Sequence, residues 1–250
     1  MKENLKMKFN LVYENVMQEI AESEKMLTEG VMKKLGSAIA AGTLAATAAM
    51  TPANVEAAPV KNQQKEIQSN VNEANQLIGY AMRLLKYFEG SVKDSKGNHI
   101  VYDDADSKHR WNGKQDINEF IKSCRGKATI GYGETASNIV KKGKISDSEA
   151  NQLLQKQIVS LNNKLIDKFG KAYSRLSIVQ KSVLISFYYN LGINFEAPKM
   201  EANLRAGKLK EAAHEFLDCD NTTVDGVKQK SPGLTKRRRM EHNLFIQGLK

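Results

Sequence analysis

Apolar residues recur at three- and four-residue steps from Val71 to Phe88, with Leu77, Ile78, Met82, Leu85 and Phe88 on one side, and this spacing predicts a helix that ends at Glu89-Gly90. Glycine just past the last periodic residue is a common helix stop. Over 91–135 the pattern changes: Gly, Asn and Asp turns separate short runs such as His99-Ile-Val-Tyr102 and Thr129-Ile-Gly-Tyr132, which predicts a small sheet. Beyond it the pattern is helical to the end of the chain. Ser146-Asp-Ser-Glu149 has the form of a capping box ahead of a helix whose Leu153, Leu154, Ile158, Leu161 and Leu165 make one face. Ser177-Ile-Val-Gln180 opens another, and there Val183, Leu184, Ile185, Phe187 and Tyr188 leave almost no polar side. That helix is expected to be central and buried, with Asn190-Leu-Gly192 as its exit. Further helices are predicted at 199–206, 208–218 and 233–247. A helix, a small sheet and then a bundle make an α+β domain over 71–250, with no visible internal repeat.

The front of the chain has a different texture. Residues 1–31 form an amphipathic helical pattern, with Leu11, Val12, Val16, Ile20 and Met26 among Glu14, Glu19, Glu22 and Glu24. A basic start at Lys33-Lys34, an Ala-rich middle over 35–50 and the small residues Val55-Glu-Ala-Ala58 then supply the three parts of a secretory signal, with cleavage expected after Ala57 or Ala58. The late start and weakly hydrophobic middle of 32–58 also suit a signal-anchor that later leaves the membrane, or a plain linker. Residues 59–70 are polar and read as a linker to the folded domain.

Charge narrows the class of partner. Lys and Arg outnumber Asp and Glu by 38 to 28, a net +10 that favours polyanions: nucleic acid, anionic lipid or an acidic cell-wall polymer. Cys124 and Cys219 are too few for a disulfide framework. His99, His109, His214 and His242 lack zinc-ligand spacing with those cysteines, so neither a metal nor a cofactor is expected.

The motif that carries chemistry is Leu85-Lys-Tyr-Phe-Glu-Gly90, followed at a distance by Ala128-Thr-Ile-Gly-Tyr-Gly-Glu-Thr135. Taken alone, Glu89 at a helix end is an ordinary cap or salt-bridge residue. Together with Ile145-Ser-x-x-Glu-Ala-x-x-Leu-Leu154, Gln180-x-x-x-Leu-Ile-Ser-Phe-Tyr-Tyr-Asn-Leu-Gly192, Leu204-Arg-Ala-Gly207, Ala212-Ala-x-Glu-Phe216 and Gly233-Leu-x-x-Arg-Arg-x-x-Glu-x-x-Leu-Phe245, it resembles the phage-type lysozymes in content and order, over about residues 74–248. The resemblance implies a lysozyme-like fold, with a small antiparallel sheet lobe and a mainly helical lobe around a buried central helix. It also implies an endolysin-type muramidase, acting on peptidoglycan in the lysis of a host cell.

The family's catalytic trio is Glu, then Asp or Cys, then Thr. Glu89 and Thr129 match its ends, and Tyr102-Asp-Asp104 looks like the family's Tyr-x-Asp, so Asp104 is the preferred middle member, with 105–125 as an insertion. Asp103 is the neighbouring register, and Cys124 competes because many members place a Cys or Asp shortly before the Thr. Glycoside hydrolysis needs one carboxyl that holds a proton for the leaving oxygen and a second group that steers water. Packing of Glu89 against Phe88 and Leu85 is expected to favour its protonated form, and Asp104, on a polar turn, is expected to stay ionised while Thr129 holds the water.

The resemblance suggests glycan contacts for Tyr132, Gln180 and Tyr189, each of which suits packing or structural hydrogen bonding equally well. Gly131 and Gly133 look like requirements of a tight turn. Glu134 stands where the family usually has His, so an ion pair made by that His is expected to be absent or reversed. Lys236-Arg-Arg-Arg239 could pass for a nucleic-acid patch, but Arg237 and Arg238 fit the family's terminal helix, with Arg238 expected to be salt-bridged near the active-site helix. The partner expected is therefore peptidoglycan, bound by a monomer without nucleic acid, with transient membrane contact through 35–50 and export to the periplasm or cell wall. Leu27-Thr28-Glu29 looks like the processing sites of proteins packed into some phage heads, which keeps a virion-associated glycan-binding protein as an alternative, alongside a lytic transglycosylase or retention in the host cytoplasm.

Overall fold

The first described element is α1 (Ala58–Glu89), which stops where the sequence predicts but begins earlier. The computed structural model describes residues 58–224 and 226–249, with side chains over 72–223 and 226–249, so the amphipathic segment and all but the last residue of the signal-like 32–58 lie outside the described residues. Residues 59–70, expected to be a linker, are helical: their Lys, Gln and Glu residues are good helix formers, and after Pro59 nothing in the segment breaks a helix. The chain divides into two compact units, residues 1–79 and 80–250. Among the described residues no helix is long and apolar enough to cross a membrane.

In the second unit, α1 buries Ala81 and Leu85 completely and ends at Gly90, whose φ of +60° no β-carbon-bearing residue adopts easily. The sheet lobe follows, made of β1 (His99–Ile100), β2 (Tyr102–Asp103), β3 (Asp106–Arg110), β4 (Ala128–Thr129) and β5 (Lys144–Ile145). β1 pairs with β5, and β2 lies between β3 and β4; all pairs are antiparallel. The 105–125 insertion folds back on this lobe. Its β3 pairs with β2, and α2 (Ile117–Ser123) is capped by Asp116, which accepts from the N–H groups of Asn118 and Glu119, and is anchored by the buried Phe120. A short α3 (Ser137–Val140) precedes β5.

The helical lobe opens with α4 (Asp147–Phe169), where Ser146 Oγ accepts from Glu149 N at 3.1 Å. Leu154, Ile158, Leu161 and Leu165 form its buried stripe. After α5 (Lys171–Ser174) comes α6 (Ile178–Leu191), the expected central helix. Both halves of its capping box form: Gln180 N donates to Ser177 Oγ, and Ser177 N donates to Gln180 Oε1. Residues 182–188 of α6 are all buried, because helices pack on every side of it.

Around α6 lie α7 (Pro198–Arg205), α8 (Leu209–His214), a 3-10 turn (Glu215–Asp218) and α9 (Pro232–Gln247). Phe187 sits at the centre, in ring contact with Tyr188, Phe195 and Phe216, while Phe216 also meets Phe245. Phe187→Ala empties this cluster and is expected to cost about 3–5 kcal/mol, readable as a lowered midpoint in denaturant unfolding. One element was not foreseen. The hairpin of β6 (Asn221–Val224) and β7 (Val227–Lys230) interrupts the helices, and it turns at Gly226 with φ of +78°. The α+β lysozyme-like architecture expected from the sequence is thus present.

Candidate active site

Glu89 is the last residue of α1, which delivers its side chain to the edge of the core at 21% exposure. Arg237 of α9 holds it, with Nη1 donating to Glu89 Oε1 at 2.8 Å. Arg237 is itself fixed: its Nε meets Glu241 Oε1 at 3.1 Å, Nη2 donates to the Ser186 carbonyl at 2.9 Å, and its guanidinium lies 4.6 Å over the Phe88 ring. One oxygen of Glu89 is therefore fastened, and Oε2 has no protein partner among the described residues. The arginine at Glu89 is Arg237, not Arg238 as the sequence suggested. Arg238 faces inward, pairs with Glu241 and Asn190, and donates to the Cys219 carbonyl at 3.0 Å.

Asp104 and Thr129 reach the same region through the sheet. Tyr102 lies directly opposite Thr129 and Asp103 opposite Ala128, and the ladder continues as Asp104 N donates to the Lys127 carbonyl at 3.0 Å. Lys127 N in turn donates to Asp104 Oδ1 at 2.6 Å, which leaves Oδ2 outward on an exposed residue. Thr129 is nearly buried, and its hydroxyl donates to the Lys127 carbonyl at 3.1 Å, so its lone pairs remain available to accept. Tyr102 links the two carboxylates: burial raises its phenol above the usual range, and the charges of Glu89 and Asp104 both push it further. Thr129 thus lies across the ladder from Tyr102, and the charges of Glu89 and Asp104 both act on that phenol.

The alternatives for the middle member sit differently. Asp103 is fully buried and accepts backbone N–H bonds from Ala105 at 3.0 Å, Arg125 at 2.8 Å and Gly126 at 2.9 Å. These bonds overcome the effect of burial and lower its carboxyl to about 2. A carboxyl spent on holding a loop is a structural group. Its folded value lies below the unfolded value of about 3.9, so its stabilisation is complete above pH 4 and fades as pH falls towards 2. Asp103→Asn is accordingly expected to lower the melting temperature near neutral pH, with a gap to the parent protein that closes over that acid range in thermal melts. Cys124 ends α2 with its sulfur 3.5 Å from the Phe120 carbonyl, and burial raises its thiol.

Gly126 closes the loop. A β-carbon there would overlap Asp104 Oδ1 and lie 2.9 Å from Ala105 N, and the backbone cannot yield as a side chain could. Gly126→Ala therefore has to move the carboxylate; a displacement near 1 Å costs about 100-fold for a carboxylate that takes part in a reaction, so a fall of that size in kcat is the expected outcome of assigning Asp104 such a part.

Residues 111–241, just over half of the chain, match the phage lysozyme family. The chain belongs to that family. The matched region takes in Thr129 and both arginines but begins after Glu89 and Asp104, whose placement rests on the geometry above. The endolysin of Bacillus phage B103 is 34% identical over 121 residues, which span 48% of this chain and 43% of that protein, less than half its length. The endolysin of Acyrthosiphon pisum secondary endosymbiont phage 1 is 29% identical over 124 residues, 49% of this chain and 82% of that one. Among solved structures, the endolysin from Escherichia coli O157:H7 phage FAHEc1 shares the fold, with a TM-score of 0.50 at 22% identity over 67% of this chain and 90% of that one.

Within this phage lysozyme domain the suggested glycan contacts separate. Gln180 is 2% exposed; its Oε1 caps α6 and its Nε2 donates to the Phe245 carbonyl at 3.4 Å, so it is committed to the core and corrects the expectation of a substrate residue. Tyr132 is mostly buried, edge-on to His99 with ring centroids 5.0 Å apart. Tyr189 is half-buried, and its hydroxyl, with one hydrogen to give, lies within hydrogen-bond distance of both the Tyr132 carbonyl and Gln157 Oε1. Glu134, at the position where the family usually has His, accepts from Gln157 Nε2 at 2.8 Å and from Ala136 N at 2.7 Å. An amide hydrogen bond thus stands where the ion pair was missed, and Glu134, Gln157, Tyr189 and the Tyr132 carbonyl form one chain linking the two lobes. Gly131 and Gly133 take φ of +65° and +95° in this turn, as their tight spacing required. Sequence reasoning gave no role to Tyr102 or Gln157, since neither residue type is distinctive until the fold sets it beside an acidic group.

Proposed function

We propose that this chain is an endolysin-type muramidase that hydrolyses the β-1,4 bond between N-acetylmuramic acid and N-acetylglucosamine in bacterial peptidoglycan, in phage lysis of the host. The observation that carries this reading is the pair of half-fastened carboxylates, Glu89 held by Arg237 and Asp104 held by Lys127 N, with Thr129 directly across the ladder from Tyr102 beside Asp104. Each carboxylate has one oxygen fastened by the protein, Glu89 through Arg237 and Asp104 through Lys127 N, and the other oxygen free of it. In the proposed reaction, Glu89 Oε2 delivers a proton to the glycosidic oxygen as the bond to the sugar carbon breaks. Asp104 Oδ2 takes one proton from a water that attacks that carbon from the opposite face, and Thr129 Oγ1 accepts a hydrogen bond from the water's other O–H, which stays on the product as its new hydroxyl. The products are two shorter glycans with inverted configuration at the new reducing end.

Digestion of purified peptidoglycan followed by mass spectrometry tests the reaction type. Reducing N-acetylmuramic acid ends are expected. Ends bearing 1,6-anhydro-muramic acid would mean a lytic transglycosylase, and an undigested wall would mean a glycan-binding protein.

The substrate's acidic polymers suit a basic protein. A nucleic-acid role draws little support from Lys236-Arg-Arg-Arg239, because Arg237 and Arg238 are buried and paired with acidic residues. We propose action as a monomer after export through residues 32–58, which rests on the sequence pattern alone; N-terminal sequencing of the mature protein should find Ala58 or Pro59 first.

A further inference from the structure

Asp103, His109 and Cys124 stand on three different elements and are irregularly spaced, yet β2, β3 and the end of α2 bring one donor atom of each to within 4.8 Å of the others. Hydrogen-bond accounting shows why the centre of this cluster is unusual. Ser123 Oγ donates its only hydrogen to the Phe120 carbonyl at 2.7 Å, so towards His109 Nε2, 3.3 Å away, it can only accept. His109 therefore carries a hydrogen on Nε2. Its other ring nitrogen, Nδ1, faces Asp103 Oδ2 at 3.5 Å.

Asp103 Oδ1 already accepts from Ala105 N and Gly126 N, whereas Oδ2 accepts only from Arg125 N and keeps a lone pair on the His109 side. An imidazole nitrogen and a fully buried carboxylate oxygen at this separation can share either a proton or a metal cation, and the second requires a further donor beside them. The third donor, Cys124 Sγ, makes only a weak 3.5 Å contact with the Phe120 carbonyl.

We propose that Asp103 Oδ2, His109 Nδ1 and Cys124 Sγ bind a zinc-class divalent cation that pins the 105–125 insertion to strand β2. Around zinc, with bonds of about 2.0–2.3 Å, neighbouring ligand atoms of a tetrahedron lie roughly 3.3–3.8 Å apart. The 3.5 Å between Nδ1 and Oδ2 already fits such an edge, and the 4.8 Å limit on the remaining separations leaves a closure within reach of side-chain rotation. One thiolate, one imidazole and one carboxylate form the mixed donor set that zinc prefers over magnesium or calcium. Binding moves the Cys124 thiol proton to solvent and forms the S–metal bond, with no change of oxidation state. Three protein ligands leave the fourth position to water. Ser123, holding Nε2–H, supplies the outer hydrogen bond that fixes a metal-binding imidazole. None of its three donors is Glu89, Asp104 or Thr129, so the proposal does not depend on the glycosidase reading.

The test is titration of the reduced full chain with cobalt(II), which reports sulfur ligation in its spectrum. One equivalent is expected to give a sulfur-to-cobalt charge-transfer band with tetrahedral visible bands, and zinc to displace it. Cys124→Ser should abolish the charge-transfer band, His109→Ala should weaken binding by more than about 100-fold, and Cys219→Ser should change neither. Zinc should also raise the melting temperature of the parent protein and release one proton, seen in calorimetry as a heat that varies with the buffer. The proton release needs no variant, so a Cys124→Ser chain that failed to fold would not shelter the idea. No charge-transfer band, or one that survives Cys124→Ser and disappears in Cys219→Ser, overturns the proposal and leaves a proton on Nδ1 as what fills the gap.

Discussion

Glu89→Gln is expected to reduce peptidoglycan hydrolysis by about 100- to 10,000-fold, the range over which a positioned general acid acts. The amide keeps a carbonyl oxygen for Arg237 Nη1, now 2.8 Å from Glu89 Oε1, so the side chain stays in place while the transferable proton is lost. The loss should therefore fall on kcat, with KM and the melting temperature nearly unchanged. Turbidity clearing of purified walls beside a thermal melt checks both. Clearing at close to the parent rate would remove Glu89 from the reaction and with it the proposed mechanism. A large fall in melting temperature would instead assign Glu89 a structural role.

The second large effect lies one layer further in. Glu241 is fully buried and accepts from Arg237 Nε at 3.1 Å and Ser186 Oγ at 2.7 Å, and also from Arg238 Nη1. Truncating it leaves the buried Arg238 guanidinium without its anion and Arg237 with Glu89 alone. Breaking a buried ion pair from one side costs about 3–5 kcal/mol, or roughly 10 °C in melting temperature for a domain of this size. Glu241→Ala is expected to show that loss in denaturant melts. It should also lower kcat at temperatures where the protein remains folded, because Arg237 loses the contact that aims it at Glu89. Replacing an exposed residue of the same helix, as in Arg239→Ala, should do neither. A Glu241→Ala protein as stable as its parent would show that the network contributes nothing to the core.

Several elements could be read from the chain because their causes are local. α6 announces itself through Ser177 and Gln180, three residues apart, and through an apolar run with no polar side; the capping box and the burial of residues 182–188 follow from those facts alone. The end of α1 at Gly90 is equally local. The hairpin at 221–230 was hidden because every residue of β7 is exposed, so it has no apolar alternation to read, and Asp225-Gly226 was the one turn signal. Residues 59–70 misled in the opposite sense, since a polar stretch without breakers can extend a helix as readily as link two domains.

The catalytic candidates divide along the same line. Glu89 and Thr129 sit in short contiguous motifs that resemble the family's, and Tyr102-Asp-Asp104 resembles its Tyr-x-Asp, so that resemblance could name all three as candidates. Whether Arg237 or Arg238 reaches Glu89 is a matter of about 100° of rotation on α9, which depends on how that helix packs against α6. The same holds for Gln180, whose side chain turned to Phe245 and the core, and for Asp103, His109 and Cys124, which meet only because the insertion folds back on β2. Periodicity and caps act over a few residues and are written in neighbouring letters. Pairing between distant side chains depends on the register of whole elements, and that exists only once the core has formed.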